Sequence, residues 1–491
     1  MTIRYFLHLA ITSILLTQVV LAAPVLEIDQ QRKLFIEAER LAHNPNSSAF
    51  KKIMEQLEGY PLKPYVELKT LSKFPFMANK NQIESFLAQY ESAPLDRPLR
   101  KKWLAYLSKQ DQPELFSHFY RDMGNTALNC KYAELLLQKD PSNEQAFKLA
   151  EELWVVGKSQ PSDCDLLFKK WQKAGKRTPE LVWKRLSLAA DGGNHTLIPY
   201  LKTLLPTEQQ YLADLWLKVR RSSSQVSRLS NFPGKFPEKE TEIQVYGLKR
   251  LISSNRDLAL RSWEKLSSRF VFSSSQLKQI SHRFAIFLAL ADHEQAELWL
   301  EKATDFEPDA ELLRWHLAHV LRQRNWQHAL DVINFVPGEI VDGNMFQYWK
   351  ARAYGEVGAK ELSDKGLQQL AKQRHYYGFL ASGQLSEMAS MNDNPLQIAQ
   401  DELDEIASMP AAQRAFEFRT LGRNLSARRE WIFLQSQLSQ QQKVTAAVLA
   451  SQNNWHDQAI FGFSKSGYLD DLSRRFPMAY DSQLQSNAKK N

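Results

Sequence analysis

The sequence is poor in the residues that build turns, with 18 glycines and 20 prolines among 491 residues. A β-sandwich or β-barrel needs a turn after every short strand, so this scarcity argues against both and favours long helices. The sequence also lacks a Gly-rich phosphate-binding loop and a G-x-S-x-G nucleophile elbow. It therefore predicts an all-α protein without the signatures of common nucleotide-binding enzymes or serine hydrolases.

Metal-binding patterns are equally scarce. The two cysteines, Cys130 and Cys164, lie outside any CxxC or His-rich setting. His316 and His319 are three residues apart on a predicted helix and could share one face, but no cysteine or carboxylate follows at ligand spacing. We therefore predict no metal site and no cofactor.

The amino terminus has the pattern of a secretory signal. Arg4 precedes an apolar run over residues 6–21, and small residues at Ala22 and Ala23 offer a cleavage site. The alternative is an uncleaved anchor, but polar residues interrupt the run and make it a poor membrane span. The pattern predicts a signal peptide over residues 1–22, export, and no membrane span after cleavage.

The formal net charge is +8, which suits an anionic partner. Export argues against nucleic acid. The densest basic segment surrounds Trp171 and is typical of a solvated helix face, although Trp171, Lys170 and Lys173 could instead contact a glycan. For Trp171 the competing interpretation, which the pattern favours, is packing in the core.

Helical periodicity dominates the chain and repeats. Trp315 and Trp349 occupy the same place in consecutive predicted hairpins and lie 34 residues apart, the period of tetratricopeptide-type repeats. The second helix of several hairpins opens with a polar capping residue followed by an alanine where two helices must approach closely: Asn143 and Ala146, Asn255 and Ala259, His293 and Ala296, Asn325 and Ala329, Asn454 and Ala459. Because a hairpin cannot bury its apolar face alone, these hairpins should stack into a superhelix.

The two cysteines fit this repeat, because they also lie 34 residues apart. Each is placed at the start of a predicted helix, Cys130 to Leu137 and Cys164 to Trp171, and first helices of successive hairpins run side by side. The sequence predicts a disulfide between them in an oxidising compartment. The alternative is two buried free thiols.

Several segments resemble the soluble lytic murein transglycosylases. These are the run from Tyr60-Pro-Leu-Lys-Pro to Tyr65, the stretch from Leu153 to Asp165 that includes Trp154, Gly157 and Cys164, and the closing run from Leu469 to Tyr480. Between them, Tyr348-Trp349-Lys-Ala-Arg352 and Gln373-Arg-His-Tyr-Tyr377 follow in matching order. The resemblance covers nearly all of the chain that follows the predicted signal peptide.

The resemblance implies a fold and a location. The fold would be a right-handed α-superhelix of degenerate hairpins, closed toward a ring by a small helical linker domain. The U-shaped domain would run over residues 23–384 and the linker domain over residues 395–480, followed by a polar tail over residues 481–491. Family members also carry a disulfide, act on peptidoglycan and are periplasmic, and we expect a monomer.

The sequence differs from the family in its catalytic motifs, none of which it contains in full. Glu91-Ser92 and Glu84-Ser85 begin like E-S-x-x-N/D-P but lack its continuation, G-L-M-Q does not occur, and Ala479-Tyr480 only begins like A-Y-N-A-G. We therefore assign no catalytic residue and leave enzymatic activity open.

The first functional hypothesis is a non-catalytic periplasmic scaffold in cell-wall metabolism. The second is a lytic transglycosylase, releasing 1,6-anhydromuropeptides, whose catalytic domain is missing from this sequence or supplied separately. The third is a general protein–protein scaffold.

Overall fold

The structure is a computed structural model that describes residues 27–490 apart from 111, 307, 336, 337 and 339–342. Within these residues all regular elements are helices, and strands are absent. The predicted all-α class is confirmed. The predicted signal peptide, residues 1–22, lies outside the described residues. No helix among those described combines the length and the apolar character that crossing a membrane would require.

The α-helices are numbered in chain order. The first part of the chain contains α1 Ile28–Leu41, α2 Ser48–Gln56, α3 Lys63–Lys73, α4 Lys80–Gln89, α5 Asp96–Leu107, α6 Pro113–Phe119, α7 Thr126–Lys139, α8 Glu144–Trp154, α9 Asp165–Lys173 and α10 Pro179–Ala190. The middle contains α11 Ile198–Thr203, α12 Gln210–Arg221, α13 Pro237–Ser254, α14 Arg256–Ser267, α15 Ser274–Leu290, α16 Ala296–Thr304, α17 Ala310–Arg322, α18 Trp326–Phe335, α19 Asn344–Glu356, α20 Lys360–Ala371 and α21 Tyr376–Leu385. The last part contains α22 Gln400–Ser408, α23 Pro410–Thr420, α24 Asn424–Gln437, α25 Gln440–Gln452, α26 His456–Ser466, α27 Leu472–Arg475 and α28 Asp481–Ala488. Short 3-10 helices, such as Met77–Asn79 and Ser162–Cys164, connect some of them.

The chain divides into two compact units that do not follow sequence order. The first unit contains the described residues up to 106 together with residues 398–462, and the second contains residues 107–397 together with those from 463 onward. The predicted boundaries at residues 384, 395 and 480 stay predictions.

The predicted hairpin repeat is present in the second unit. Trp315 and Trp349 are each the sixth residue of a 13-residue helix, α17 and α19. The second helices of the two hairpins, α18 and α20, begin at Trp326 and Lys360, which are also 34 residues apart. The period read from the sequence is therefore the spacing of these two hairpins in the structure.

Three of the five predicted helix openings are confirmed by capping contacts, whereas His293 is not the cap of α16, which begins after Gln295. The Asn143, Asn255 and Asn325 side chains each accept a hydrogen bond from a backbone N–H three residues later, at 2.9, 3.0 and 3.1 Å. Such caps satisfy an N–H group that the helix itself leaves without a partner. The alanines that follow the five predicted openings are fully buried: Ala146, Ala259, Ala296, Ala329 and Ala459. A small side chain at these positions allows close approach of the paired helices.

The apolar core of the second unit extends along the stack instead of forming a central ball. One continuous cluster of buried side chains runs from Cys130 to Leu312, and smaller clusters follow around Leu313–Ala353 and Tyr348–Ala381. A repeat array is expected to build its core in this way, since each hairpin covers the face of its neighbour.

One expectation needs correction. Cys130 does not begin its helix, because the Asn125 side chain caps α7 and the helix starts four residues earlier, at Thr126. Residues 481–488, within the predicted polar tail, form helix α28, which has no buried residue. Asp471 is fully buried, caps α27 and pairs with Arg474.

Candidate functional site

Glu417 on α23 is hydrogen-bonded to side chains from the first part of the chain. Its carboxylate accepts two hydrogen bonds from Arg32 of α1, from Nε at 3.0 Å and from Nη2 at 2.7 Å. The Tyr60 hydroxyl donates a third at 2.9 Å. Burial and the bond to Glu417 raise the pKa of the Tyr60 phenol above its usual range. We call Arg32, Tyr60 and Glu417 the Glu417 cluster.

A second cluster lies next to it around Glu430 of α24. Glu430 is fully buried, accepts a hydrogen bond from the Tyr65 hydroxyl, and pairs with Arg414 Nη2 at 3.0 Å. The Tyr65 ring packs edge-on against Phe418 at 4.6 Å. Burial and the neighbouring Glu430 charge raise the pKa of the Tyr65 phenol. A buried carboxylate persists only when it is paired and hydrogen-bonded, and this cluster meets both conditions.

A third contact joins the same segments through Arg423 and Glu39. The guanidinium approaches both carboxylate oxygens, with Nη1 at 2.7 Å from Oε1. It also lies over the Phe35 ring, 5.1 Å from its centroid. Together the three contacts hold α1 and the segment before and within α3 against α23 and α24, across more than 350 residues of sequence.

These contacts give a physical role to the first family motif. Its two tyrosines, Tyr60 and Tyr65, are the hydroxyl donors to Glu417 and Glu430. The sequence indicates the two tyrosines but not their acceptors. A glutamate buried on a helix far along the chain leaves no local signal in the sequence, so only the tertiary structure reveals the pairing.

The second motif serves the stack in the second unit. Cys130 and Cys164 form the predicted disulfide, with their Cα atoms 5.0 Å apart. Gly157 packs so closely on α10 that a Cβ would overlap the backbone of Leu188, and its carbonyl accepts a hydrogen bond from Asn194 N at 2.7 Å. Arg185 donates to the Lys158 carbonyl at 3.1 Å and lies over Trp154 at 4.5 Å. The stretch is therefore a structural connection between successive repeats.

The closing motif is structural as well. Arg374, from the Gln373–Tyr377 segment, donates to the carbonyls of Met391 and Asn392 at 2.8 and 3.1 Å and pairs with Asp470 at 3.1 Å. Asp471 accepts from the Leu396 backbone N–H at 3.2 Å. These bonds fix the segment after α21 against the segment before α27.

The predicted glycan-contact group is split by the structure. Trp171 is only 1% exposed and packs against Trp154 at 5.5 Å, so its indole has no free face for a sugar ring. The stacking role was wrong, and the core interpretation holds. Lys170 is half-buried and lies 3.7 Å from Glu134, whereas Lys173 is exposed at the end of α9. Contact between these lysines and a glycan stays a prediction.

A cleft of about 580 Å³ lies in the first unit beside the Glu417 cluster. Burial raises the pKa of Glu67 in this cleft, although Lys63 lies 3.8 Å away and opposes the shift. Glu91 also lines the cleft but is exposed beyond the end of α4, and Glu84 is exposed on α4 itself.

The histidines noted in the sequence lie near one group of metal-type donors. Oxygen and nitrogen atoms of Glu297, Glu301 and His328 lie within 4.8 Å of one another. His316 packs edge-on against His328 at 5.7 Å, and burial lowers its pKa to about 4. The carboxylates come from α16, a neighbouring helix, which is why ligand spacing along α17 did not indicate them. These three donors are the described residues best placed to hold a divalent cation.

Known proteins with similar sequences and similar structures share this helical architecture. The soluble lytic murein transglycosylase of Escherichia coli K12 is 24% identical over 460 residues, covering 92% of this chain and 70% of that protein. The structure of an inactive mutant of lytic transglycosylase Slt from Pseudomonas aeruginosa is 29% identical, with a TM-score of 0.84, covering 93% of this chain and 74% of that one. The resemblance to the soluble lytic murein transglycosylases is confirmed. The 70 kDa enzyme structure from E. coli, 22% identical with a TM-score of 0.79 over 94% of this chain and 75% of that one, supports the same α-superhelical fold.

The family comparison also locates one domain. Residues 405–472 match the family described as the soluble lytic murein transglycosylase L domain, which includes Glu417 and Glu430. Residues 142–230 match a family described as cucumovirus coat protein. These residues form helices α8–α12 within the continuous core of the second unit, so the second match adds no functional argument.

Proposed function

We propose that this chain is a periplasmic helical scaffold that binds peptidoglycan and that its described residues do not cleave the glycan. The observation that carries the proposal is the use of the family motifs. Tyr60, Tyr65, Gly157, Cys164 and Arg374 all make contacts that hold helices together. The relatives named above are lytic transglycosylases of bacterial murein, which supports peptidoglycan as the partner.

The absence of cleavage is argued from the carboxyl groups of the described residues. A general acid for glycosidic cleavage needs a carboxylic acid kept protonated in an apolar setting next to the bond. Burial raises the pKa of Glu67, but its side chain is 39% exposed and Lys63 favours the ionised form. Glu91 is exposed. Neither offers the environment that the reaction requires.

Contact with the glycan is proposed for Lys170 and Lys173 through hydrogen bonds and charge, without Trp171. The catalytic alternative is a lytic transglycosylase whose catalytic domain is supplied separately or lies beyond this sequence. That alternative is supported by the relatives, which are lytic transglycosylases. The general protein–protein scaffold is the third hypothesis, and murein binding separates it from the other two.

Sedimentation with purified murein sacculi tests the proposal. We expect the mature chain to co-sediment with sacculi and to run as a monomer by light scattering. A matched protein of similar charge that is unrelated to this fold, assayed at the same ionic strength, controls for unspecific attraction. Recovery of the chain in the supernatant at all protein concentrations would contradict murein binding.

A further inference from the structure

A strongly basic cleft of about 390 Å³ lies in the second unit. Its lining contains four cationic side chains, one phenol and one carboxylate: Arg220, Lys249, Arg250, Arg283, Tyr246 and Asp191. We call this group the arginine cleft. Its size suits a small ligand or one group of a larger polymer.

The three arginines are held in place by backbone carbonyls of the preceding helices. Arg220 Nη1 donates to the Ala190 carbonyl at 2.7 Å, and Arg250 Nη1 donates to the Arg220 carbonyl at 2.7 Å. Arg283 Nε donates to the Lys249 carbonyl at 3.3 Å. The last carbonyls of a helix lack intrahelical partners, so the first two contacts satisfy groups at the ends of α10 and α12. The arginine positions are thereby fixed before any ligand binds.

The positive charge of the cleft is not neutralised within the described residues. No ion pair joins Arg220, Lys249, Arg250 or Arg283 to a carboxylate there, Asp191 included. The other polar partners are Tyr246, Gln279 and His195, whose Nδ1 lies 3.4 Å from Arg220 Nη2. The Tyr246 hydroxyl accepts from Arg220 at 3.4 Å and from Arg250 at 3.0 Å, and Gln279 accepts from Lys249 at 3.0 Å. A guanidinium has five N–H donors, so several remain for a ligand.

The arrangement repeats with the helical hairpins. Arg220 and Arg250 are 30 residues apart, and the same kind of contact recurs where Arg322 donates to the Ala289 carbonyl at 2.6 Å. Rigid helices therefore present guanidinium groups at spacings set by the stack. Planar guanidinium groups pair in a bidentate manner with carboxylates and phosphates, which identifies an oxyanion as the ligand type.

We propose that the arginine cleft binds the carboxylate groups of cell-wall peptides. The choice of carboxylate over phosphate rests on the proposed function, because murein peptides carry free carboxylates. The cleft would hold the peptide by charge-assisted hydrogen bonds from Arg220, Arg250 and Arg283, with Lys249 adding a further cation. It would thus fix the scaffold on the peptide side chains of the murein as well as on the glycan.

Sedimentation with chemically amidated sacculi tests this assignment, since amidation removes the carboxylate charge but leaves the glycan. The test variant combines Arg220→Gln, Arg250→Gln and Arg283→Gln, and the control combines Lys360→Gln, Lys365→Gln and Lys372→Gln, three exposed residues with the same total charge loss. We expect the test variant to bind untreated sacculi about tenfold more weakly, and the control to bind like the wild type. Wild-type protein should bind amidated sacculi as weakly as the test variant does. Unchanged binding of a folded test variant would overturn the proposal.

A milder variant guards against misfolding of the triple substitution. Lys249→Glu reverses one charge in the cleft without removing an arginine from a helix end, and it should weaken binding to untreated sacculi in the same direction. Far-ultraviolet circular dichroism checks the fold of each variant. If Lys249→Glu leaves binding to untreated sacculi unchanged, the proposal fails even where the triple variant is unfolded.

Calorimetry with soluble probes separates this proposal from the proposed function. A soluble murein stem peptide should bind the wild type and lose binding in the triple variant. If the wild type ignores sacculi but still binds the peptide through the cleft, the proposed scaffold function fails while the peptide site stands. If inorganic phosphate binds as tightly as the peptide, the assignment to carboxylates is wrong. If the peptide does not bind at all, the proposal is refuted.

Discussion

Replacing Glu417 by glutamine should weaken the attachment of α1 and of the segment before α3 to α23. The carboxylate accepts three hydrogen bonds, from Arg32 Nε at 3.0 Å, Arg32 Nη2 at 2.7 Å and the Tyr60 hydroxyl at 2.9 Å. Glu417→Gln removes the charge and turns one acceptor into a donor that faces other donors. Breaking a buried ion pair costs about 3–5 kcal/mol, but the Arg32 side chain is 23% exposed and water recovers part of that loss. We expect a loss of about 2–4 kcal/mol in the free energy of unfolding.

Two further variants isolate the cluster. Tyr60→Phe removes one hydrogen bond to the carboxylate and should cost about 1–2 kcal/mol in the wild type, but almost nothing when Glu417→Gln is already present. Glu37→Gln is the matched control on α1, because its ion pair with Arg40, at 3.6 Å, is exposed. That control should change stability by less than about 0.5 kcal/mol.

Hydrogen exchange of the α1 amides, beside urea unfolding, is the measurement, because a chain of two units need not unfold in one step. The expected result is faster exchange of α1 in Glu417→Gln with little change in the core of the second unit. Equal losses for Tyr60→Phe in both backgrounds, or a Glu417→Gln effect no larger than that of Glu37→Gln, would refute the reasoning.

Three other predictions follow from buried groups and close packing. Burial lowers the folded-state pKa of His316 to about 4, so neutral His316 contributes stability above about pH 6.5. That stability is lost as the pH falls toward 4, by at most about 3 kcal/mol in the free energy of unfolding. The melting temperature should therefore be lower at pH 4.5 than at pH 7, and His316→Gln should reduce the difference. Cys130→Ser should lower the melting temperature, with about 3–4 kcal/mol lost in the chain-entropy account, and titration of two free thiols in the native unreduced protein would contradict the disulfide. Gly157→Ala should destabilise the second unit by about 1–3 kcal/mol because the new Cβ overlaps the Leu188 carbonyl, and an unchanged melting temperature would show that α10 can shift.

The local features of the fold could be predicted because short-range physics determines them. The capping asparagines Asn143 and Asn255, and the buried alanines that follow, depend on contacts within one hairpin. The 34-residue period is a property of the chain itself, so Trp315 and Trp349 identified equivalent helices correctly.

The contacts that join distant segments could not be predicted in the same way. Tyr60 and Glu417 are 357 residues apart, and nothing near Glu417 distinguishes it from a solvated helical glutamate. For Trp171 the local sequence allowed two interpretations, because lysines occur beside an exposed tryptophan as well as at the edge of a buried one. Asp471 accepts a hydrogen bond from the Leu396 backbone N–H. This contact depends on tertiary packing, so the local sequence does not indicate it.

Digestion of murein sacculi tests whether the chain binds peptidoglycan without cleaving it. Purified mature protein is incubated with sacculi, and the soluble products are searched for 1,6-anhydromuropeptides by mass spectrometry, beside a heat-killed control. We expect binding to the sacculi with no anhydromuropeptides above that control. Their appearance in the wild type, and their loss in Glu67→Gln or Glu91→Gln, would contradict the scaffold assignment and identify a catalytic carboxyl group in the first unit.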